Sequence, residues 1–102
     1  MLVHNVYFTL HDGSEEAVTR LVESCHKHLS GHEGVTYFAV STLVPDLTRP
    51  VNDVNFHVGL HVVFADRAAH DTYQPHERHQ QFIAENKATW KQVRVFDSYS
   101  AE

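Results

Sequence analysis

Strict alternation of side chains along residues 2–10 is the feature that most restricts the fold of this chain. One face of this segment carries, in order, Leu2, His4, Val6, Phe8 and Leu10. A period of two is typical of a β-strand with one buried face. Similar patterns, rich in β-branched and aromatic residues, predict further strands at residues 35–44, 54–65 and 92–99.

Helical periodicity separates these strands. Apolar positions at helical spacing are Ala17, Val18, Leu21, Val22, Cys25 and Leu29. Asp12, followed three residues later by Glu15, predicts the start of this helix, and Gly31 or Gly34 its end. A second helical region is divided by Pro75, which predicts a short helix over 66–73 and a longer one over 76–88.

The resulting order, β-α-β-β-α-β, predicts one α+β domain over residues 1–102 with a ferredoxin-like fold. We expect an antiparallel sheet with both helices on one face, and with the first and third strands central and parallel to each other. The opposite face carries Val3, Tyr7, Val63 and Phe96. Because this face is too apolar for water, we expect a second copy of the chain to cover it, giving a homodimer and a dimeric α/β barrel.

Composition excludes several classes of partner. The chain has 8 Lys and Arg against 13 Asp and Glu, a formal charge of −5, and its basic residues are scattered. This argues against nucleic acid as a partner. No apolar stretch is long enough for a membrane span and no leader pattern is evident, so we expect no membrane partner and a cytoplasmic location. The single cysteine, Cys25, is expected to be a buried thiol.

Two polar residues interrupt the helix-facing surface of the sheet. His4 lies near the start of the first strand and Asp97 near the end of the last, so antiparallel pairing would bring them together. The two residues could simply form a structural pair in the core, in which each neutralises the other. Alternatively, Asp97 could orient an imidazole at the floor of a pocket.

A second group of polar residues surrounds Pro75. If a helix starts near His76, then His76, His79 and Phe82 share an inward face, and Tyr73 can fold over it. A phenol and two imidazoles could transfer protons near pH 7. A polar rim at an ordinary helix N-terminus would produce the same pattern.

The remaining histidines give weaker signals. His26 and His28 point in nearly opposite directions on a helix, so we expect no metal site around them and His32. His57 and His61 are predicted on the dimer-facing side of the third strand, where they could make assembly sensitive to pH.

Four motifs together resemble the stress-responsive A/B barrel domain (Dabb) family over the whole chain. They are Val3, His4, Val6 and Phe8; residues 62–66; Tyr73, His76, His79 and Phe82; and Val93, Val95, Phe96, Asp97 and Tyr99. The resemblance implies a dimeric α+β barrel, in agreement with the dimer expected from the second sheet face. The family's usual His-Pro-Ala-His motif reads His76-Glu-Arg-His79 here.

One plant branch of this family, olivetolic acid cyclase, closes a linear polyketide by aldol chemistry without a cofactor. The resemblance implies catalytic roles for His79, Tyr73 and Asp97 and implies no cofactor. The implied ligand-binding residues are His4, Val6, Phe8, Val58, Leu60, His76, Phe82 and Val95.

Three functions follow as expectations. The first is a homodimer whose small apolar pocket binds, and could transform by acid/base chemistry, a small aromatic or polyketide-like metabolite. The second is a non-catalytic, stress-associated dimerisation protein. The third is a cofactor-free monooxygenase or a haem-binding protein, both of which use a similar barrel.

Overall fold

The computed structural model of the protein describes residues 1–101, which form a four-stranded sheet with helices on one face. The strands are β1 (Leu2–Leu10), β2 (Val35–Thr42), β3 (Val58–Phe64) and β4 (Trp90–Tyr99). The helices are α1 (Glu15–Leu29), α2 (Arg67–Tyr73) and α3 (Glu77–Asn86), and a 3-10 turn at Lys87–Thr89 leads into β4. The predicted α+β, ferredoxin-like class is confirmed. No helix among these residues is both long and apolar enough to cross a bilayer.

The strand order is β2-β3-β1-β4, and every neighbouring pair is antiparallel. The expectation that the first and third strands run parallel was therefore wrong. The crossover through α1 makes β1 and β2 run in the same direction, and β3 returns antiparallel to β2. Because β3 inserts between those two strands, it is antiparallel to both.

Helix α1 begins where the backbone amides find a side-chain partner. The hydroxyl of Ser14 accepts a hydrogen bond from the N–H of Ala17 at 3.2 Å, so Ser14 is the N-cap. Asp12, predicted for that role, instead accepts from the N–H of Ser14 at 2.9 Å. The chain leaves the helix through Gly31 and Gly34, whose φ angles of 73° and 83° favour glycine.

The core lies between α1, α3 and the inner face of β1 and β3. All five inner-face residues of β1 are at most 5% exposed, and the thiol-bearing Cys25 of α1 is fully buried, as predicted. Burial raises the pKa of Cys25 to about 12, which keeps the thiol protonated and unreactive. The helices cover the sheet unevenly, since Val93 and Val95 on the inner face of β4 remain 38% and 51% exposed.

The third strand is shorter than predicted because residues 54–57 form part of the loop that precedes it. His57 lies in this loop, where its Nδ1 accepts a hydrogen bond from the N–H of Leu10 at 3.0 Å. His61 is on the outer face, but both of its ring nitrogens are bonded within the chain, to Asn5 and Ser41, each at 2.8 Å. Both ring nitrogens of His61 are therefore occupied within the chain, and the predicted pH-sensitive contact with a second copy stays a prediction.

Arg78 joins α3 to the end of α1. Its guanidinium donates hydrogen bonds to the carbonyl oxygens of Lys27 at 2.6 Å and Ser30 at 2.9 Å. These carbonyls belong to the last turn of α1 and its C-cap, where no intrahelical donor remains. The same two helices are bridged by His28 and Glu85, whose Nε2 and Oε2 atoms are 2.6 Å apart.

We expect Arg78→Gln to lower the free energy of unfolding by about 2 kcal/mol, because it removes two charge-assisted hydrogen bonds to helix-end carbonyls. Urea denaturation followed by circular dichroism measures this change. Arg78→Lys should restore only part of the stability, since an ammonium group lacks the planar arrangement of N–H donors with which the guanidinium reaches both carbonyl oxygens. The exposed Arg20→Gln is the control and should change stability by about 0.5 kcal/mol or less. An unfolding midpoint for Arg78→Gln equal to that of the wild type would contradict this role.

Candidate active site

A cavity of about 430 Å³ opens between the inner face of the sheet and helices α2 and α3. It lies over β4, where the helices leave the sheet uncovered. The lining residues are His4, Val6, Phe8, Leu29, Leu60, His70, Tyr73, Gln74, His79, Phe82, Ile83, Trp90, Val93, Val95 and Asp97. The walls are mostly apolar, with a few polar side chains at fixed positions, which is the usual character of a small-molecule site.

His4 and Asp97 form one polar wall of the cavity. They are directly paired across β1 and β4, as the antiparallel register required, and the Nδ1 and Oδ1 atoms are 2.5 Å apart. The imidazole of His4 is buried, whereas the Asp97 side chain is nearly half exposed. The carboxylate therefore fixes the orientation of the ring and holds a proton on Nδ1, leaving Nε2 of His4 as the other polar atom of the pair.

Tyr73 and His79 form a second polar wall. Tyr73 ends α2 and His79 lies in the first turn of α3, and their ring centroids are 4.7 Å apart. The Tyr73 hydroxyl and Nδ1 of His79 are buried without a hydrogen-bond partner, and so is Nε1 of Trp90. These are the three side-chain polar atoms in residues 1–101 that are buried and unpartnered, and all belong to residues that line the cavity.

Burial sets the protonation states of this wall. It lowers the pKa of His79, and the neighbouring imidazoles of His4 and His32 lower it further. Burial also raises the pKa of the Tyr73 hydroxyl. At neutral pH, His79 is therefore a neutral imidazole that can accept a proton, and Tyr73 is a phenol that can donate a hydrogen bond.

The structure brings most of the predicted site residues together. His79, Tyr73 and Asp97 line the cavity, and so do six of the predicted ligand-binding residues: His4, Val6, Phe8, Leu60, Phe82 and Val95.

Val58 and His76 are placed elsewhere. Val58 is fully buried in the core at the start of β3. His76 is the N-cap of α3 rather than its first residue, with φ −59° and ψ 141°, so its side chain does not follow the helical spacing that predicted a shared face with His79. Its ring packs instead against His32, with centroids 4.7 Å apart, over a separate depression.

Six lining residues lie outside the predicted site: Leu29, His70, Gln74, Ile83, Trp90 and Val93. His70 precedes Tyr73 by three residues on α2, so helical spacing alone places the two on one face. That signal was available in the sequence. Trp90 reaches the cavity through the turn that follows α3, which no periodic pattern describes.

Comparison with known proteins agrees with the observed fold. The family model described as the stress responsive A/B barrel domain, Dabb, matches residues 2–100. The chain belongs to this family. No curated protein matches it significantly.

Solved structures share the fold of this A/B barrel domain. A Dabb family protein from Mesorhizobium loti is 27% identical, with a TM-score of 0.81, covering 99% of this chain and 97% of its own. The At3g17210 protein of Arabidopsis thaliana is 17% identical, with a TM-score of 0.81 and coverage of 100% and 97%. A dimeric ferredoxin-like protein from Thermobifida fusca is 12% identical, with a TM-score of 0.78 and coverage of 95% and 88%. Proteins named as antibiotic biosynthesis monooxygenases also share the fold, at 12–14% identity.

The segment His76-Glu-Arg-His79 of this A/B barrel domain places an arginine next to the cavity residue His79. Arg78 occupies the position before His79, and its guanidinium reaches α1 rather than the cavity. Arg78 thus anchors the first turn of α3, which carries the cavity residue His79.

We expect the His79 imidazole to titrate below its ordinary value of 6.5, because the folded chain disfavours the charged ring. Proton NMR of histidine-labelled protein between pH 5 and 8 measures the midpoint. Because the unfolded chain binds this proton more readily, His79 contributes stability that is lost as pH falls through 6.5 toward its folded value.

The lining residue Ile83 provides a matched test of the cause. Ile83→Ala widens the cavity and admits water, so the His79 midpoint should rise toward 6.5. Gln81→Ala, on the exposed side of α3, should leave it unchanged. A wild-type midpoint at or above 6.5 would show that burial does not lower the pKa of His79.

Proposed function

We propose that this A/B barrel protein is a cytoplasmic homodimer whose protomers each bind a small aromatic or polyketide-like metabolite in the cavity, and that His79 and Tyr73 transform it by acid/base chemistry. The observation that carries the proposal is that the three side-chain polar atoms of residues 1–101 that are buried without a partner all belong to residues lining one apolar-walled cavity. An unsatisfied buried donor or acceptor costs about 1–3 kcal/mol, so a ligand that pairs with these atoms recovers that free energy.

The positions of these atoms define the chemistry of the ligand. Tyr73 and Trp90 offer an O–H and an N–H donor, and neutral His79 offers an acceptor or a donor according to its tautomer. The same cavity is lined by the apolar side chains of Phe8, Leu60 and Phe82. A compact carbon skeleton with several oxygen functions, such as a phenolic acid or a poly-β-ketone, matches both requirements.

The same atoms support proton transfer. His79 would accept a proton from a carbon next to a carbonyl, and the protonated Tyr73 would donate a hydrogen bond to the enolate oxygen that develops. Asp97 would hold the ring of His4 in a fixed orientation beside Tyr73, with the His4 and Tyr73 ring centroids 6.3 Å apart. Tyr73 and His79, two of the three residues with a buried and unpartnered polar atom, thus have roles in proton transfer. The third, Trp90, has none.

The outer face of the sheet supports the homodimer. Tyr7 packs against Phe56 and Phe96, with ring centroids 4.9 and 6.0 Å apart, and Phe96 remains 53% exposed. Several proteins of the same fold are described as dimeric. A contiguous aromatic patch on an otherwise complete domain is best covered by a second copy of the same patch. The buried, unpaired Cys25 is consistent with a reducing cytoplasmic location.

Ligand binding can be followed through Trp90, the single tryptophan of the chain. We expect 2,4-dihydroxybenzoate, or a β-diketone of similar size, to quench Trp90 fluorescence in a saturable way. Tyr73→Phe should weaken binding about tenfold, as expected for the loss of one buried hydrogen bond of about 1.4 kcal/mol. Tyr37→Phe, on an exposed tyrosine, should bind as the wild type does. Unchanged fluorescence with all such probes would contradict a ligand site in this cavity.

Catalysis is tested separately from binding. We expect the protein to accelerate deuterium exchange at the carbon between the two carbonyls of a bound β-diketone, measured by proton NMR in D₂O. His79→Gln should slow this exchange by about 10²–10⁴-fold while Trp90 still reports binding. Binding without accelerated exchange would favour the non-catalytic function.

The dimer is tested on its outer face. Phe96→Asp should halve the mass measured by light scattering after gel filtration, because two buried carboxylates would face each other across a two-fold axis. The control is Val51→Asp, in the loop between β2 and β3, where Val51 is 82% exposed. This variant should keep the molecular mass of a dimer. A wild-type protein that elutes as a monomer would refute the proposal.

A further inference from the structure

A compact group of potential metal ligands lies at the entrance to the cavity. The group consists of His4, His70 and Asp97, and one ligand atom from each lies within 4.8 Å of the others. We propose that these three side chains bind a divalent transition-metal ion such as Zn²⁺, Co²⁺ or Fe²⁺. Two imidazoles and one carboxylate form the ligand set that such ions take where a coordination position stays open.

Three different elements hold these ligands in place. His4 and Asp97 are register partners on adjacent strands β1 and β4, and His70 lies on α2. The rings of His4 and His70 meet edge to face, with centroids 5.6 Å apart. Because two paired strands and a packed helix fix the backbone, small side-chain rotations are enough to bring the three ligand atoms to bonding distance.

The ring nitrogen of His70 that would not bind the ion already has the carboxylate partner that is typical of a metal-bound histidine. Its Nδ1 is 3.0 Å from Oδ1 of Asp71, which requires the proton on Nδ1 and leaves the lone pair on Nε2. Metal-bound histidines usually donate their other N–H to a carboxylate in this way. Nε2 of His70 otherwise meets only the side-chain amide of Gln74, at 3.3 Å, a contact that an ion can replace.

Local charges also favour a cation. Asp97 and Asp71 supply two carboxylates next to the two imidazoles, while the guanidinium of Arg67 is paired with Asp71 at 2.9 Å. Nδ1 of His4 and Oδ1 of Asp97 lie within hydrogen-bond distance, 2.5 Å apart, and an ion bound through these two atoms would displace the proton between them.

An ion has a route to the site and an open position once bound. A depression of about 250 Å³, which includes Arg67, His70, Asp97 and Tyr99, leads to it from solvent. All three ligands also line the main cavity. With three protein ligands, the remaining coordination position would face that cavity, where the ion could polarise a carbonyl oxygen of a bound molecule.

The inference stands independently of the proposed metabolite, because metal binding is measured on the protein alone. Metal-free protein is titrated with Co²⁺ and followed by visible absorption, and the bound ion is then displaced with Zn²⁺. We expect one Co²⁺ per chain, with the intense bands of a four- or five-coordinate ion.

Variants of the site and a matched control decide the assignment. His70→Ala and Asp97→Asn should each abolish these bands, and Asp71→Asn should weaken Co²⁺ binding by about 10–100-fold through its effect on His70. His26→Ala, an exposed histidine of α1, should leave both bands and affinity unchanged. Circular dichroism confirms that each variant is folded.

Two results would overturn the proposal. The first is a wild-type protein that gives no such bands with Co²⁺. The second is a folded His70→Ala variant that keeps them, since the ion would then be held by other histidines of this histidine-rich chain.

Discussion

The three helices of this protein cover only part of its four-stranded sheet, and this incomplete cover determines where the cavity lies. The core forms where α1 and α3 pack over β1 and β3, and it leaves the inner face of β4 without a cover. Val93 and Val95 lie on the inner face but remain 38% and 51% exposed. A cavity over β4 is the geometric consequence, and its lining combines residues of β4 and the shorter helices with core residues of the central strands, such as Val6, Phe8 and Leu60.

Burial around this cavity gives its polar groups their properties. The same apolar walls that remove water from His79 lower its pKa and raise that of Tyr73. They also leave the hydroxyl of Tyr73 and a nitrogen of His79 without partners. A fold under selection for stability alone would fill such a space or pair such atoms. The free energy that these groups forfeit without a partner is available to a molecule that pairs with them.

Periodicity predicted the elements and the pairing of His4 with Asp97, because an antiparallel register with a period of two fixes which residues meet. It could not place His76, because a single non-helical cap residue changes the direction of a side chain without changing the spacing in the sequence. The relative direction of β1 and β3 was misjudged for a different reason. It depends on how the crossover and the hairpin combine, which is a property of the whole topology and of no single segment.

The many histidines of the chain are best understood through their partners. Seven of the ten have a ring nitrogen within hydrogen-bond distance of a partner in the chain, namely His4, His28, His32, His57, His61, His70 and His76. Several of these join one element to another, as His28 does with Glu85 between α1 and α3, so imidazole here serves largely as a compact hydrogen-bonding group. His79 differs from all of them. Within residues 1–101 it is the histidine with a buried ring nitrogen and no partner for it, and because desolvation keeps that ring neutral, its unused capacity is to accept or donate a proton in the cavity.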